Sequence, residues 1–127
     1  MKTSMIINDK RRHELVNLGF DGKKYDVRYF NELTYDNLQK LIAEGFADPD
    51  DMQNSSPSIG EIAEFLKANP FFTAHGYIVC PERDDVRVSL EGVESAHLLN
   101  RTELEAFVEM FRHADEFSLN PPRAWYD

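Results

Sequence analysis

The stretch FTAHGYIVCPERDDVRVSL, residues 72–90, reads as two extended segments joined by a turn. Phe72 to Cys80 and Val86 to Leu90 carry the β-branched and aromatic residues of strands, and Pro81-Glu82-Arg83-Asp84-Asp85 between them is loop chemistry. Side chains alternate faces along a strand, so pairing Cys80 with Val86 and Ile78 with Val88 gathers Ile78, Cys80, Val86, Val88 and Leu90 on one face. The loop is long enough to permit a register shifted by one residue as well. A hairpin with one apolar face must be covered, and this requirement sets the fold class.

Working outward, three amphipathic segments supply the cover. Tyr35, Leu38, Leu41, Ile42 and Phe46 share a helical stripe, with Thr34 as N-cap and Gly45 available for a left-handed C-terminal cap. After Pro57, Ser58-Ile59-Gly60-Glu61 has capping-box spacing, and Ile59, Ile62, Ala63, Phe65 and Leu66 form an apolar face that ends at Asn69-Pro70. A third helix is expected from about Thr102 to Ala114, capped by Asn100 or Thr102, with Leu104, Phe107, Val108 and Phe111 inward.

Nearer the start, Val16, Leu18 and Phe20 alternate with polar or small residues before Asp21-Gly22, and Tyr25, Val27 and Tyr29 alternate after it. Asp-Gly favours a two-residue type I′ turn, which would pair Phe20 with Lys23, Leu18 with Tyr25 and Val16 with Val27. A helix from Arg11 to Leu18 competes for the same residues. At the other end, Pro121-Pro122 favours an extended arm over 118–127. The expected order is β-β-α-α-β-β-α: one two-layer α+β domain over 1–127, with an antiparallel sheet from two hairpins and three helices.

The 127 residues suit one domain with a core that needs no staples. Cys80 stands alone, so no internal disulfide can form. Met5, Ile6 and Ile7 make too short an apolar patch for a leader, and no stretch approaches a membrane span. These features give a cytoplasmic expectation. The net charge of −9 is uneven: residues 1–30 hold seven Lys/Arg against four Asp/Glu, and the remainder is strongly acidic. An acidic body repels a phosphate backbone, so nucleic acid is not an expected partner. The cluster Lys10, Arg11, Arg12, His13 is too small to reverse that.

The search for chemistry gives mostly failures with identifiable causes. The acidic loop from Asp50 to Glu61 has the length of a calcium loop, but Met52 stands at a ligand position and Ser55 where glycine makes the turn. Glu94 and His97 supply one half of a carboxylate di-iron motif that requires two. His75 and Cys80 are five apart on one strand and point to opposite faces, which fits a core cysteine better than a nucleophile. No glycine-rich phosphate loop or nucleophile elbow is present. The expected cofactor set and metal set are therefore empty.

Two sets of residues remain. His75 and Tyr77 share a strand face opposite Arg87 or its neighbours, a possible ligand site of apolar wall and polar groups. Arg83, Asp84 and Asp85 at the hairpin tip, with Trp125 and Tyr126 in the tail, suit a partner surface, since Trp and Tyr are enriched at interface hot spots. The leading expectation is a small acidic non-enzymatic interaction module, of inhibitor or immunity type or self-associating. The alternative is a small-molecule-binding domain or cofactor-free enzyme with its pocket near the second hairpin.

Overall fold

The structure, a computed structural model, describes residues 8–53 and 56–126. Nine elements follow one another: α1 (Asp9–Leu15), β1 (Val27–Leu33), α2 (Tyr35–Ala43), α3 (Ile59–Ala68), β2 (Phe72–Val79), β3 (Val88–Ser95), α4 (Arg101–Phe111), β4 (Glu116–Leu119) and β5 (Pro122–Trp125). The strands form one antiparallel sheet in the order β1-β2-β3-β5-β4. The class is mixed α+β, as expected, but the expected order β-β-α-α-β-β-α and its three helices are not what forms.

The hairpin over 72–90 is present in the expected register, with Ile78 opposite Val88. β3 runs on to Ser95, further than its first residues suggest, because Val93 and Ser95 bury on the same side as Val88 and Leu90. A bulge makes this possible. His75 faces Gly92 and Gly76 faces Leu90, so Glu91 is the extra residue and the alternation changes phase there. Both glycines permit close strand approach. A Cβ on Gly76 would collide with the Ser89 carbonyl oxygen, and one on Gly92 with that of Ala124.

The expected hairpin over 16–29 is corrected: a helix forms over Asp9–Leu15, overlapping the competing Arg11–Leu18 helix but starting and ending earlier. A strand would send Asp9 and Arg12 to opposite faces, whereas a helix places Asp9, Arg12 and His13 together at i, i+3 and i+4. Arg12 is fully buried, and its Nε and Nη2 meet Asp9 Oδ1 at 3.0 and 2.9 Å. Nη2 also donates to the carbonyl of Val79 at 2.7 Å and to the Tyr25 hydroxyl at 2.7 Å, while Tyr25 donates to Asp9 at 3.0 Å. These bonds fasten α1 to one end of the β2–β3 ladder. Gly22 does adopt the left-handed conformation, at φ 75°, but the turn is closed locally by the Lys23 amide donating to Asp21 Oδ1. Val27–Leu33 pairs with β2 instead, placing Val27 opposite Val79 and Tyr29 opposite Tyr77.

The helix ends follow their capping signals. Thr34 accepts from the Asn37 amide, and Gly45 sits at φ 84° after α2. Complete capping boxes join Ser58 with Glu61 and Asn100 with Glu103. Leu38 and Leu41, Ile62 and Leu66, and Phe107 and Phe111 bury from the three helices into one cluster with Phe72, Ala74, Ile78, Val88, Leu90 and Val93 of the sheet.

The tail is also corrected. It is extended, but it is a second hairpin rather than an arm: β4 pairs with β5, and β5 pairs with β3 through Gly92–Trp125, Val93–Ala124 and Glu94–Arg123. Tyr126 is buried near Phe111, and its amide donates to the Glu91 carbonyl at 2.7 Å. Asn54 and Ser55 of the acidic loop, the patch Met5–Ile7, and Asp127 lie outside the described residues. Among the described residues no helix is long and apolar enough to cross a membrane.

Candidate functional site

β-strand alternation divides the sheet. Phe72, Ala74, Ile78, Val88 and Leu90 face the helices, so Tyr29, Tyr77, Ser89, His75, Trp125 and Arg123 occupy the other face. Two clusters form there.

The first crosses β1, β2 and β3 in one row, Tyr29–Tyr77–Ser89. The tyrosine rings lie 5.7 Å apart, the separation of a directly paired cross-strand contact between aromatics. Arg87 sits over Tyr77 and donates to its hydroxyl at 2.9 Å, to Ser89 Oγ at 3.0 Å and to Asp85 Oδ2 at 3.0 Å. Asp85 is held in turn by Arg83, which also meets Asp26 at 2.9 Å. The two guanidiniums hold the Asp85 carboxyl below its ordinary range, the Arg83 hydrogen bond being the larger influence. Tyr77 donates to Gln53 Oε1 at 3.3 Å. Tyr29 itself is 66% exposed.

The second cluster is the row His75–Gly92–Trp125. The His75 and Trp125 rings meet edge to face at 6.0 Å, and the Arg123 guanidinium lies 4.4 Å from the indole centre. His75 is only 7% exposed. Burial first, and the Arg123 charge second, push its pKa down to about 4, while the Ala124 carbonyl works the other way. Among the described residues, no hydrogen-bond partner meets the buried His75 Nε2 or Trp125 Nε1.

The two sets of residues expected from the sequence are thus regrouped. Tyr77 and Arg87 come together as foreseen, but they join Arg83 and Asp85 rather than His75. His75 joins Trp125. Asp84 is exposed at the hairpin tip, and Tyr126 faces the core. A cavity of about 160 Å³ beside the first cluster is lined by Gln53, Ile59, Ile62, Arg87, Ser89 and Leu90, among others; His75 and Tyr77 are not in its walls. Among the described residues no group of three or more His, Cys, Asp or Glu is placed to hold a metal ion. Cys80 is buried and free.

Tyr29 is not legible in the sequence as a site residue, because alternation alone places it in a hairpin with Val16–Phe20. The signal that finds it is cross-strand register with Tyr77, which depends on the partner strand. Comparison of the chain with known protein families, with curated proteins and with solved structures finds no match.

Proposed function

We propose that the protein is a non-enzymatic interaction module, of inhibitor or immunity type, that docks a basic protein partner on the sheet face around Tyr29. The observation that carries this reading is a two-thirds exposed tyrosine held against Tyr77, which Arg87 braces by both ring contact and hydrogen bond. Tyrosine and arginine dominate interface hot spots, and a ring already fixed by its neighbours loses little conformational entropy on binding. Exposed Asp26, Glu82, Asp84 and Asp85 lie at that end of the sheet, where Arg83 and Arg87 pair with Asp26 and Asp85, and the chain as a whole carries a net charge of −9. This charge favours encounter with a basic surface and disfavours nucleic acid. On this reading the chain works as a single soluble domain in the cytoplasm, without metal or cofactor. Photo-cross-linking from position 29, against the same probe at exposed Glu105 on α4, is the test: a discrete adduct with a basic protein from position 29 alone supports the reading.

A second reading, a small-molecule site, is favoured by the cavity beside Arg87. A fragment set titrated against the labelled protein should shift the Ser89 and Leu90 amides if this reading holds. Fragments that move neither amide remove it.

A further inference from the structure

An open groove of about 640 Å³ runs along the outer edge of β1, between Val16–Leu18 and Tyr29–Glu32. Its floor is apolar: Val16 and Phe30 are buried and Leu18 is half-buried. One wall is the Tyr29 ring, which meets Tyr77 on its inner side and is otherwise open to solvent. The Glu32 carboxylate is exposed, and among the described residues no hydrogen bond or ion pair engages it. Two residues lining the groove, Asn17 at φ 61° and Glu32 at φ 58°, hold the left-handed conformation. Asparagine tolerates this conformation, whereas for glutamate it is strained. The strain sets Glu32 in the slip between Phe30 and Leu33, where β1 leaves its register with β2. Arg28 ties the facing loop in place by donating to the Gly19 carbonyl at 2.7 Å. The Cys80 amide donates to the Asp26 carbonyl at 3.0 Å, so by alternation the peptide groups of Tyr29 turn away from β2, towards the open edge.

We infer that this groove is an arginine-binding site, taking a guanidinium side chain of a basic protein partner. The inference rests on the reading of the Tyr29 face as a partner surface and names the group which that surface takes. Charge and shape choose the occupant. An apolar floor suits the methylene stem of a long cationic side chain. The free ring face attracts a cation, and Glu32 supplies the one carboxylate in the lining. Asp26 and Asp85 are already engaged by Arg83 and Arg87, so Glu32 is the charge beside Tyr29 that a partner can take up. An apolar side chain would desolvate that carboxylate without a partner, and an acidic one would oppose it. Planarity then separates arginine from lysine. A guanidinium can lie flat on the Tyr29 ring, send paired donors to Glu32 and keep another for the outward Tyr29 carbonyl. An ammonium is a point charge without that fork.

Titration of the labelled full chain with Nα-acetyl-arginine methylamide, followed by amide NMR, tests the site without any partner. The expected result is saturable shifts at Asn17, Leu18, Tyr29 and Glu32. Nα-acetyl-citrulline methylamide has the same shape without the charge and should bind roughly three- to fivefold more weakly. The lysine analogue should also bind more weakly than arginine. Glu32→Gln should weaken the arginine probe by a similar factor and leave the unfolding midpoint unchanged. Glu105→Gln, which removes the same charge from exposed α4 surface, should change neither. Glu32→Gln should also lower the yield of a basic adduct captured from position 29. No saturable shift overturns the inference. So does a citrulline or lysine probe that binds as tightly as arginine, or a loss no greater in Glu32→Gln than in Glu105→Gln. The groove and the partner surface fail separately. A basic adduct whose yield Glu32→Gln leaves intact keeps the partner and overturns the groove. Saturable arginine binding with no adduct from position 29 keeps the groove and removes the partner.

Discussion

His75 shows what burial does to one ionisable ring. Lying over Gly92 with its ring against Trp125, it is kept neutral, with a pKa pushed down to about 4 from an ordinary value of 6.5. The unfolded chain therefore takes up a proton below about pH 6.5, and the folded chain resists until about pH 4. The contribution of His75 to stability is fully present above pH 6.5 and is lost as the pH falls towards 4. A shift of this size corresponds to roughly 3 kcal/mol. Urea unfolding between pH 7 and 4 should show that decline, and His75→Phe should remove most of it from the difference curve. A decline of equal size in the variant would mean that other groups carry the pH dependence. The same residue was legible in the sequence as a strand histidine on the face of Tyr77, but its neighbour was not. The Glu91 bulge and the β3–β5 pairing bring Trp125 alongside, and neither leaves a local signature.

At the scale of elements, α1 is held by a buried polar network as well as by Leu15 in the core. Arg12 joins Asp9, Tyr25 and the Val79 carbonyl in a site it fills completely. Removing one member of a buried ion pair leaves the other charged and unsatisfied, which costs on the order of 3–5 kcal/mol. Arg12→Ala should lower the urea midpoint accordingly and speed amide exchange through α1 and the end of β2. Asp9→Asn with Arg12→Met, which removes both charges, should recover much of the loss; failure to recover any would show that the pair is not the cause. The elements that sequence reading placed well, α2, α3, α4 and the β2–β3 hairpin, are those specified by near neighbours: Thr34, the Ser58–Glu61 and Asn100–Glu103 boxes, and β-branched alternation. α1 is legible only as a competitor of the Asp21-Gly22 hairpin, because one of its anchors, a carbonyl at the end of β2, lies 67 residues away. β4 and β5 were read as an arm because Pro121-Pro122 gives the extended backbone but says nothing about the β3 edge that receives it.

For the whole molecule, the sheet has one face given to the helices and another bearing Tyr29, Tyr77, Arg87 and Trp125. The second of these faces is the one we propose for a basic partner. The sequence identified Tyr77, Arg87, Arg83 and Asp85 as worth attention, and the fold made one network of them. Tyr29 completes it only through strand pairing. The decisive measurement is photo-cross-linking in cells with a benzophenone side chain in place of Tyr29, compared with the same probe in place of Glu105. The account predicts a discrete adduct with a basic protein from position 29 and none from position 105. No adduct from position 29, or the same adducts from both positions, would contradict it.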